Sequence, residues 1–213
     1  KKKFKQIVIF TGQHTNKNMS EEFFKFFKIN YDYSLSINKN LSLNEKYAEI
    51  IKGLDRLFTI NKPDGVYVCG DTNTALAASQ AALLNKIPLF YFESGLRTYD
   101  DLNPWPEEIN RRLISSLATY HFAPTYQNKK NLIKENFDEK KIFITGNTVI
   151  DAVKKILKSK IYKKKIIEFE KELSVDYKKT LILTLHRREV FGKKLEIICN
   201  DIIKFVNLNP DYN

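Results

Sequence analysis

The stretch Val66-Tyr67-Val68-Cys69-Gly70-Asp71-Thr72 joins four apolar residues to a glycine and two polar residues. A short uninterrupted apolar run bounded by turn residues is typical of a strand that is buried on both faces of a parallel sheet. The Ala- and Leu-rich residues 73–85 that follow predict a helix. A strand followed directly by a helix is the repeating unit of α/β folds.

The same unit recurs along the chain on both sides of this stretch. Apolar runs at residues 5–10, 88–92, 141–145 and 180–185 predict further strands. Apolar residues at helical spacing predict a helix over residues 43–60, and another begins at Pro106 with Ile109, Leu113 and Leu117 as its core stripe. The order indicates an α/β fold with Rossmann-type parallel sheets.

One candidate domain boundary lies near Gly146. Residues 1–145 read as an N-terminal Rossmann-like domain. Residues 146–213 read as a long connecting helix, over residues 150–171, and the first strand–helix unit of an incomplete second domain. A lone strand–helix unit cannot cover its own apolar faces, so we expect the sequence to stop partway through that domain.

The net charge of +11 raises the question of a nucleic-acid partner. Much of the excess lies between residues 154 and 179, where ten lysines stand against four acidic residues. Apolar residues at helical spacing in this segment predict an amphipathic helix with a solvated lysine face. We therefore expect no nucleic-acid partner, and a basic nucleic-acid-binding protein remains the alternative.

The sequence predicts neither a membrane span nor a signal peptide. No apolar run approaches the ~20 residues that span a bilayer, and the basic start lacks the apolar length and cleavage site of a signal peptide. Cys69 and Cys199 lie far apart and form neither a disulfide nor a metal pattern, which fits a reducing compartment. The sequence predicts a cytoplasmic protein with no membrane span and no metal site.

Polar clusters follow four of the predicted strands. They contain Asp71, the run from Glu93 to Arg97, Asn147, and the run His186-Arg187-Arg188. In open parallel sheets ligands bind outside the carboxyl ends of the strands, so we expect these clusters to converge on one crevice. Taken singly, each could be an ordinary turn or helix cap.

A fifth cluster lies at the predicted helix after Pro106, where Glu107 and Arg111 share a helical face. They could form only a surface ion pair. However, five of the six arginines fall in the polar clusters, in a chain that otherwise uses lysine, and the guanidinium fork suits carboxylates and phosphates. Carboxylates beside cations suit proton abstraction from carbon with an anionic leaving group.

No nucleophile elbow, zinc-ligand spacing, Gly-x-Gly-x-x-Gly or phosphate-binding loop accompanies these residues. At the clusters the sequence resembles the non-hydrolysing UDP-N-acetylglucosamine 2-epimerases. The matching blocks, in order, are Gly70-Asp71-Thr72-Asn73-Thr74, Glu93-Ser94-Gly95-Leu96-Arg97-Thr98, Pro104-Trp105-Pro106-Glu107-Glu108-Ile109-Asn110-Arg111, His121-Phe122-Ala123-Pro124-Thr125, Thr145-Gly146-Asn147-Thr148-Val149-Ile150-Asp151 and His186-Arg187-Arg188-Glu189.

The resemblance implies a GT-B-like architecture, two Rossmann-type domains facing across a cleft, in a homodimer. It implies reversible C2 epimerisation of UDP-GlcNAc to UDP-ManNAc without a cofactor, through a 2-acetamidoglucal intermediate, for surface polysaccharide precursors.

Residue roles also follow from the resemblance. It makes Asp71, Glu93 and Glu107 the acid and base carboxylates, with Arg111 as their partner, and makes His186 a contact to the diphosphate. It further implies that Arg97 and Asn147 bind substrate. The residues Gln13, His14, Arg187 and Arg188 resemble a second, activating UDP-GlcNAc site.

Departures from the family pattern leave other readings open. The family usually opens with a strand and a Gly-Thr-Arg-Pro-Glu loop, which this sequence lacks, and its uridine-binding loops would follow Asn213. Thr15 replaces an arginine, Val190 an asparagine and Ser94 an alanine. The alternatives are a 2-epimerase for another UDP-2-acetamido sugar, such as a uronic acid or 6-deoxy derivative, and an inactive fragment. We expect the 213 residues alone not to turn over substrate.

Overall fold

The computed structural model describes residues 4–12, 17–38, 40–173, 179–185 and 191–211. The chain divides into two compact units, an N-terminal unit of Lys1–Gly146 and a C-terminal unit of Asn147–Asn213. The architecture is α/β, and all the strand pairs that the structure describes are parallel.

The strands of the described residues form two sheets in the N-terminal unit. One sheet pairs β1 (Ile9–Phe10) with β2 (Tyr33–Ser34). The other has the order β3-β4-β5-β6. Its strands are β3 (Val66–Cys69), β4 (Leu89–Phe92), β5 (Tyr120–Ala123) and β6 (Ile142–Ile144).

Helices alternate with these strands. In the N-terminal unit they are α1 (Lys17–Phe27), α2 (Leu43–Asn61), α3 (Asn73–Leu84), α4 (Glu107–Leu117) and α5 (Tyr126–Lys134), with a short 3-10 helix at Glu139–Lys141. In the C-terminal unit they are α6 (Thr148–Leu157), α7 (Lys160–Leu173) and α8 (Lys193–Leu208). The helix expected over residues 43–60 is confirmed, and Ser42 and Glu45 cap its start reciprocally.

The core lies on one face of the four-stranded sheet, under α2, α3 and α4. Val66, Val68, Leu89 and Tyr91 alternate along β3 and β4 and are at most 8% exposed. Helix α3 carries alanines inward, which lets it pack closely against α2 and β3. This packing fixes the loops that leave the carboxyl ends of β3 and β4.

The opposite face of the sheet is more exposed than expected, because the sequence predicted strands that are buried on both faces. Here Tyr67, Phe92, Phe122 and Phe143 form a row across the four strands, with neighbouring ring centroids 4.2 to 5.7 Å apart. Tyr67 remains 57% exposed and Phe143 45% exposed. The apolar run of β3 therefore alternates between a buried aliphatic face and a face of aromatic rings that shield one another.

Two predictions for the C-terminal unit are wrong. The single helix expected over residues 150–171 is interrupted between α6 and α7, where the Ser159 hydroxyl accepts from the Tyr162 amide and starts a new helix. The strand expected over residues 180–185 is absent, and residues 181–185 have no regular structure. An apolar run becomes a strand only where a neighbouring strand supplies its hydrogen bonds.

The core stripe expected on α4 is confirmed at Leu117, which packs against the core cluster, and is wrong at Leu113. Leu113 is 47% exposed, whereas Ile114 is fully buried. The polar residues Glu108, Asn110 and Ser115 of the same helix are buried as well. Helix α4 therefore turns a polar side toward the interior, because these side chains find hydrogen-bond partners there.

The lysine-rich segment behaves as a solvated surface in the part of it that the structure describes. The lysines of α6 and α7 are exposed along both helices. Among the helices of the described ranges, none has the length and apolar character needed to cross a membrane.

Candidate active site

Asp71 and Glu93 lie at the same edge of the four-stranded sheet. Cys69 and Phe92, the last residues of β3 and β4, are register partners, so the loops that follow them leave the sheet side by side. A Cβ added to Gly70 would lie 3.5 Å from the Glu93 carboxylate. Burial raises the pKa of the Cys69 thiol to about 11, and the charges of Glu93 and Asp71 also raise it.

Arg111 joins this edge from helix α4. Its Nε donates to Asp71 Oδ2 at 2.8 Å, and its Nη2 lies 2.6 Å from the same oxygen. Its Nη1 donates to Glu108 Oε2 at 3.0 Å. Burial lowers the pKa of Arg111, but Asp71 and Glu108 raise it, and the net pKa lies above the ordinary value.

The two carboxylates on Arg111 differ in exposure and in hydrogen bonding. The Asp71 side chain is 25% exposed, and its Oδ1 has no hydrogen bond within the described ranges. The Glu108 side chain is 0% exposed, and its Oε1 accepts from the Tyr99 amide at 3.2 Å. Asp71 therefore presents one carboxylate oxygen for chemistry, whereas both oxygens of Glu108 are in use.

Asn110 fastens the Asp71 loop to helix α4. Its Nδ2 donates to the Asp71 carbonyl at 2.9 Å and to Asn73 Oδ1 at 3.0 Å. Thr72 caps helix α3 by accepting from the Ala75 amide. The turn after β3 therefore both caps a helix and supports Asp71. The sequence offered a helix cap and a ligand-binding cluster as alternatives, and the two are compatible here.

Glu93 adopts a left-handed backbone with φ +61°, which is unusual for a residue with a side chain. The residues after it are fixed in the interior. Ser94 shares a buried hydrogen bond with His121 Nδ1 at 2.9 Å, and the Gly95 carbonyl accepts from the side chains of Asn128 and Asn131. These anchors hold the turn in which Glu93 adopts this conformation.

Gly95 leaves no room for a side chain. Its φ is +85°, and an added Cβ would lie 2.3 Å from the Asn128 carbonyl oxygen. The close approach of the two backbones brings α5 against the loop that carries Glu93. A glycine is therefore required at this turn.

Arg97 was expected to bind substrate, but its guanidinium lies in the interior. The side chain is 0% exposed and binds Glu135 through Nε at 2.8 Å and Nη2 at 2.7 Å. It also donates to Ser115 Oγ and to the Leu96 carbonyl. These contacts favour a role in holding the loop after Glu93, and substrate binding by Arg97 stays a prediction.

Glu107 occupies the first position of α4 and is partly exposed. The structure records no hydrogen bond or ion pair for its side chain within the described ranges. Although Glu107 and Arg111 are four residues apart on one helix, Arg111 pairs with Glu108 instead. The catalytic role of Glu107 stays a prediction.

The other predicted site residues lie outside the described part of the N-terminal unit. Asn147 belongs to the C-terminal unit, where its side chain accepts from the Val149 amide and caps α6. The remaining five, Gln13, His14, His186, Arg187 and Arg188, lie outside the described residues.

Sequence reasoning missed several residues that support the site. The sequence predicted a pairing of Arg111 with Glu107 and not with Glu108. A spacing of three residues on a helix is as favourable for contact as a spacing of four. Asn110 and Glu135 could not be recognised from the sequence, because their partners lie 37 to 39 residues away along the chain. His121, whose ring binds Ser94, lies on β5 and is 2% exposed.

The chain also forms a hollow of about 850 Å³, whose lining does not include Asp71. Two of its lining residues support the loop after β4, since the Tyr99 amide donates to Glu108 and the Glu135 carboxylate binds Arg97. Its lining consists of Tyr99, Asp100, Asp101, Leu102, Arg112, Ser116, Glu135 and Phe137. In the described residues, no group of three or more His, Cys, Asp or Glu side chains could hold a metal ion.

Comparison with known proteins assigns this arrangement to a class. The solved UDP-GlcNAc 2-epimerase of Neisseria meningitidis bound to UDP-GlcNAc superposes with a TM-score of 0.86 at 38% identity, over 93% of this chain and 54% of that one. That of Methanocaldococcus jannaschii in complex with UDP-GlcNAc and UDP gives a TM-score of 0.83 at 35% identity, over 97% of this chain and 56% of that one. The fold is GT-B-like, with Rossmann-type parallel sheets, as expected from the sequence.

The sequence comparisons identify the family. The family model for UDP-N-acetylglucosamine 2-epimerase matches residues 1–213. The UDP-N-acetylglucosamine 2-epimerase of Escherichia coli K12 is 40% identical over 215 residues, which cover 98% of this chain and 56% of the relative. That of Salmonella borreze is 44% identical over 200 residues, which cover 92% of this chain and 52% of the relative. The chain belongs to the UDP-N-acetylglucosamine 2-epimerase family and spans about half the length of these relatives.

Proposed function

We propose that this protein interconverts UDP-GlcNAc and UDP-ManNAc by inverting C2, and supplies precursors of surface polysaccharide. The observation that carries the proposal is the ion pair between Asp71 and Arg111, beside Glu93 at the carboxyl edge of the sheet. The relatives named UDP-N-acetylglucosamine 2-epimerase support the substrate.

The proposed reaction eliminates and re-adds UDP. A carboxylate removes the C2 proton, the C2–H electron pair forms the C1–C2 double bond, and the C1–O bond breaks to release UDP as an anion. The intermediate is 2-acetamidoglucal. Re-addition of UDP at C1, with proton delivery to the opposite face of C2, gives the epimer and restores all atoms.

Asp71, Glu93 and Glu107 supply the base and the acid in this proposal. Asp71 is suited to proton transfer because Arg111 binds only its Oδ2 and Oδ1 remains available. Arg111 keeps the carboxylate oriented through the reaction. His186, outside the described residues, is assigned the contact to the diphosphate on the family resemblance.

The test is proton NMR of the complete protein with UDP-GlcNAc in D2O. The manno epimer should appear with deuterium at C2, because the proton that is removed exchanges with solvent before re-addition. A complete protein that forms no UDP-ManNAc and exchanges no C2 proton would contradict the proposal.

A matched pair of variants tests the role of Arg111. Arg111→Lys removes the fork that binds Asp71 and Glu108, and kcat/KM should fall by about 100-fold. Arg112→Lys alters the adjacent arginine, which is 54% exposed and pairs with Asp101, and kcat/KM should stay within about twofold. Equal losses in both variants would count against a catalytic ion pair.

A further inference from the structure

Glu108 is a buried carboxylate without a role in the proposed chemistry. Its side chain is fully buried, although it lies in the first turn of a helix where acidic residues usually face water. Burying a carboxylate is costly unless hydrogen bonds compensate for the lost water. The residue therefore needs an explanation beyond helix capping.

The contacts of Glu108 lead to the candidate active site. Oε2 accepts from Arg111 Nη1 at 3.0 Å, and the same guanidinium binds Asp71 through Nε and Nη2. Oε1 accepts from the Tyr99 amide at 3.2 Å. Glu108 thus joins helix α4, the loop at Tyr99 and, through Arg111, the loop of Asp71.

Neither oxygen of Glu108 is free for proton transfer, and the side chain has no exposed surface. Arg111 has a long side chain with several rotatable bonds, and Glu108 is the fully buried one of its two carboxylate partners. Because Glu108 binds Nη1, the guanidinium is oriented so that its Nε and Nη2 donors contact Asp71 Oδ2. We propose that Glu108 is a positioning residue, which acts through Arg111 to orient the Asp71 carboxylate for the reaction.

This inference rests on the proposed function for its kinetic part. Glu108→Gln keeps the shape but leaves one carbonyl oxygen for two donors, so Arg111 loses its fixed direction. In the complete protein, kcat should fall by roughly 10- to 100-fold. KM should change less than about threefold, because a fully buried side chain does not touch substrate.

The matched control is Asp101→Asn, which removes the carboxylate partner of the neighbouring Arg112 in an exposed pair. It should leave kcat and KM at wild-type values. Wild-type kcat in folded Glu108→Gln would overturn the proposal, as would a KM increase without a loss of kcat.

A second measurement does not depend on turnover. The exchange rate of the Arg111 Nε–H with water, followed by nitrogen-15 NMR, should rise at least about tenfold in Glu108→Gln, since a loosened donor opens more often. Asp101→Asn should leave this rate unchanged, and an unchanged rate in Glu108→Gln would overturn the proposal. An inactive wild-type protein would contradict the proposed function and the kinetic role together, and the exchange rate would still decide whether Glu108 orients Arg111.

If Glu108→Gln does not fold, Glu108→Asp takes its place. It keeps the charge but shortens the side chain by one methylene, so it cannot reach both Tyr99 and Arg111. A folded Glu108→Asp protein with reduced kcat and faster Nε–H exchange would support the proposal. Wild-type values of both would overturn it.

Discussion

At the scale of single residues, Asp71 and Glu108 bind the same guanidinium but differ in exposure and in hydrogen bonding. Asp71 follows a strand and keeps one oxygen accessible, whereas Glu108 lies inside a helix and shares out both of its oxygens. A carboxylate that must take up and release a proton needs a free oxygen, and one that orients a neighbour needs fixed bonds. Exposure and hydrogen bonding therefore assign the two acids different tasks.

His121 provides a prediction about pH at the same scale. Burial lowers the pKa of this imidazole to about 4, and the charge of Arg97 also lowers it. The unfolded chain binds a proton near the ordinary value of 6.5, so between these values only the unfolded state gains a proton. The stability that depends on neutral His121 is therefore fully present above the unfolded pKa and is lost as the pH falls below it. The free energy of unfolding should decrease by about 2 kcal/mol between roughly pH 7 and pH 5.

Urea unfolding of wild type and His121→Asn at the two pH values checks this prediction. Asparagine does not titrate, so the loss in the variant should be smaller than in wild type by that amount. The same pH dependence in both proteins would show that His121 does not cause it.

At the scale of elements, helix α4 connects the core to the site. One side of it contributes Ile114 to the core cluster, and its polar residues bind the loops after β3 and β4. Its rotation about its own axis is therefore fixed by both sets of contacts. Any change that rotates α4 would displace Arg111.

The orientation of α4 predicts unequal effects at two adjacent positions. Ile114→Ala removes a fully buried side chain and should reduce the free energy of unfolding by about 3 kcal/mol. Leu113→Ala changes a side chain that is 47% exposed and should cost less than about 1 kcal/mol. Urea unfolding measures both losses. A larger loss in Leu113→Ala than in Ile114→Ala would contradict this orientation of α4.

The strands and helices of the N-terminal unit could largely be predicted from the sequence, because local apolar periodicity specifies them. The strand at Val66–Cys69 and the helix at Leu43–Asn61 are examples. The rotation of α4 could not, because it depends on bonds from Asn110 and Arg111 to residues 37 to 40 positions away. The choice between Glu107 and Glu108 depends on that rotation.

At the scale of the whole molecule, the two units differ in how much they bury. Helix α3 of the N-terminal unit has five buried residues, and its neighbours β3 and β4 share the same core. Helices α6 and α8 of the C-terminal unit have none, although both carry apolar residues at helical spacing. Local stability follows buried apolar area, so the two units should not be equally stable.

Hydrogen exchange on the 213-residue chain tests this difference. Amides of α3 should exchange slowly, through opening of the whole N-terminal unit, and amides of α8 should exchange at least about 100-fold faster. Ala77→Gly in α3 removes a buried methyl group and adds backbone freedom, so it should speed exchange across the N-terminal unit without changing the rates in α8. Equal protection of α3 and α8, or a common response of both to this substitution, would mean that the chain opens as one cooperative body, because two independent units must lose their protection separately.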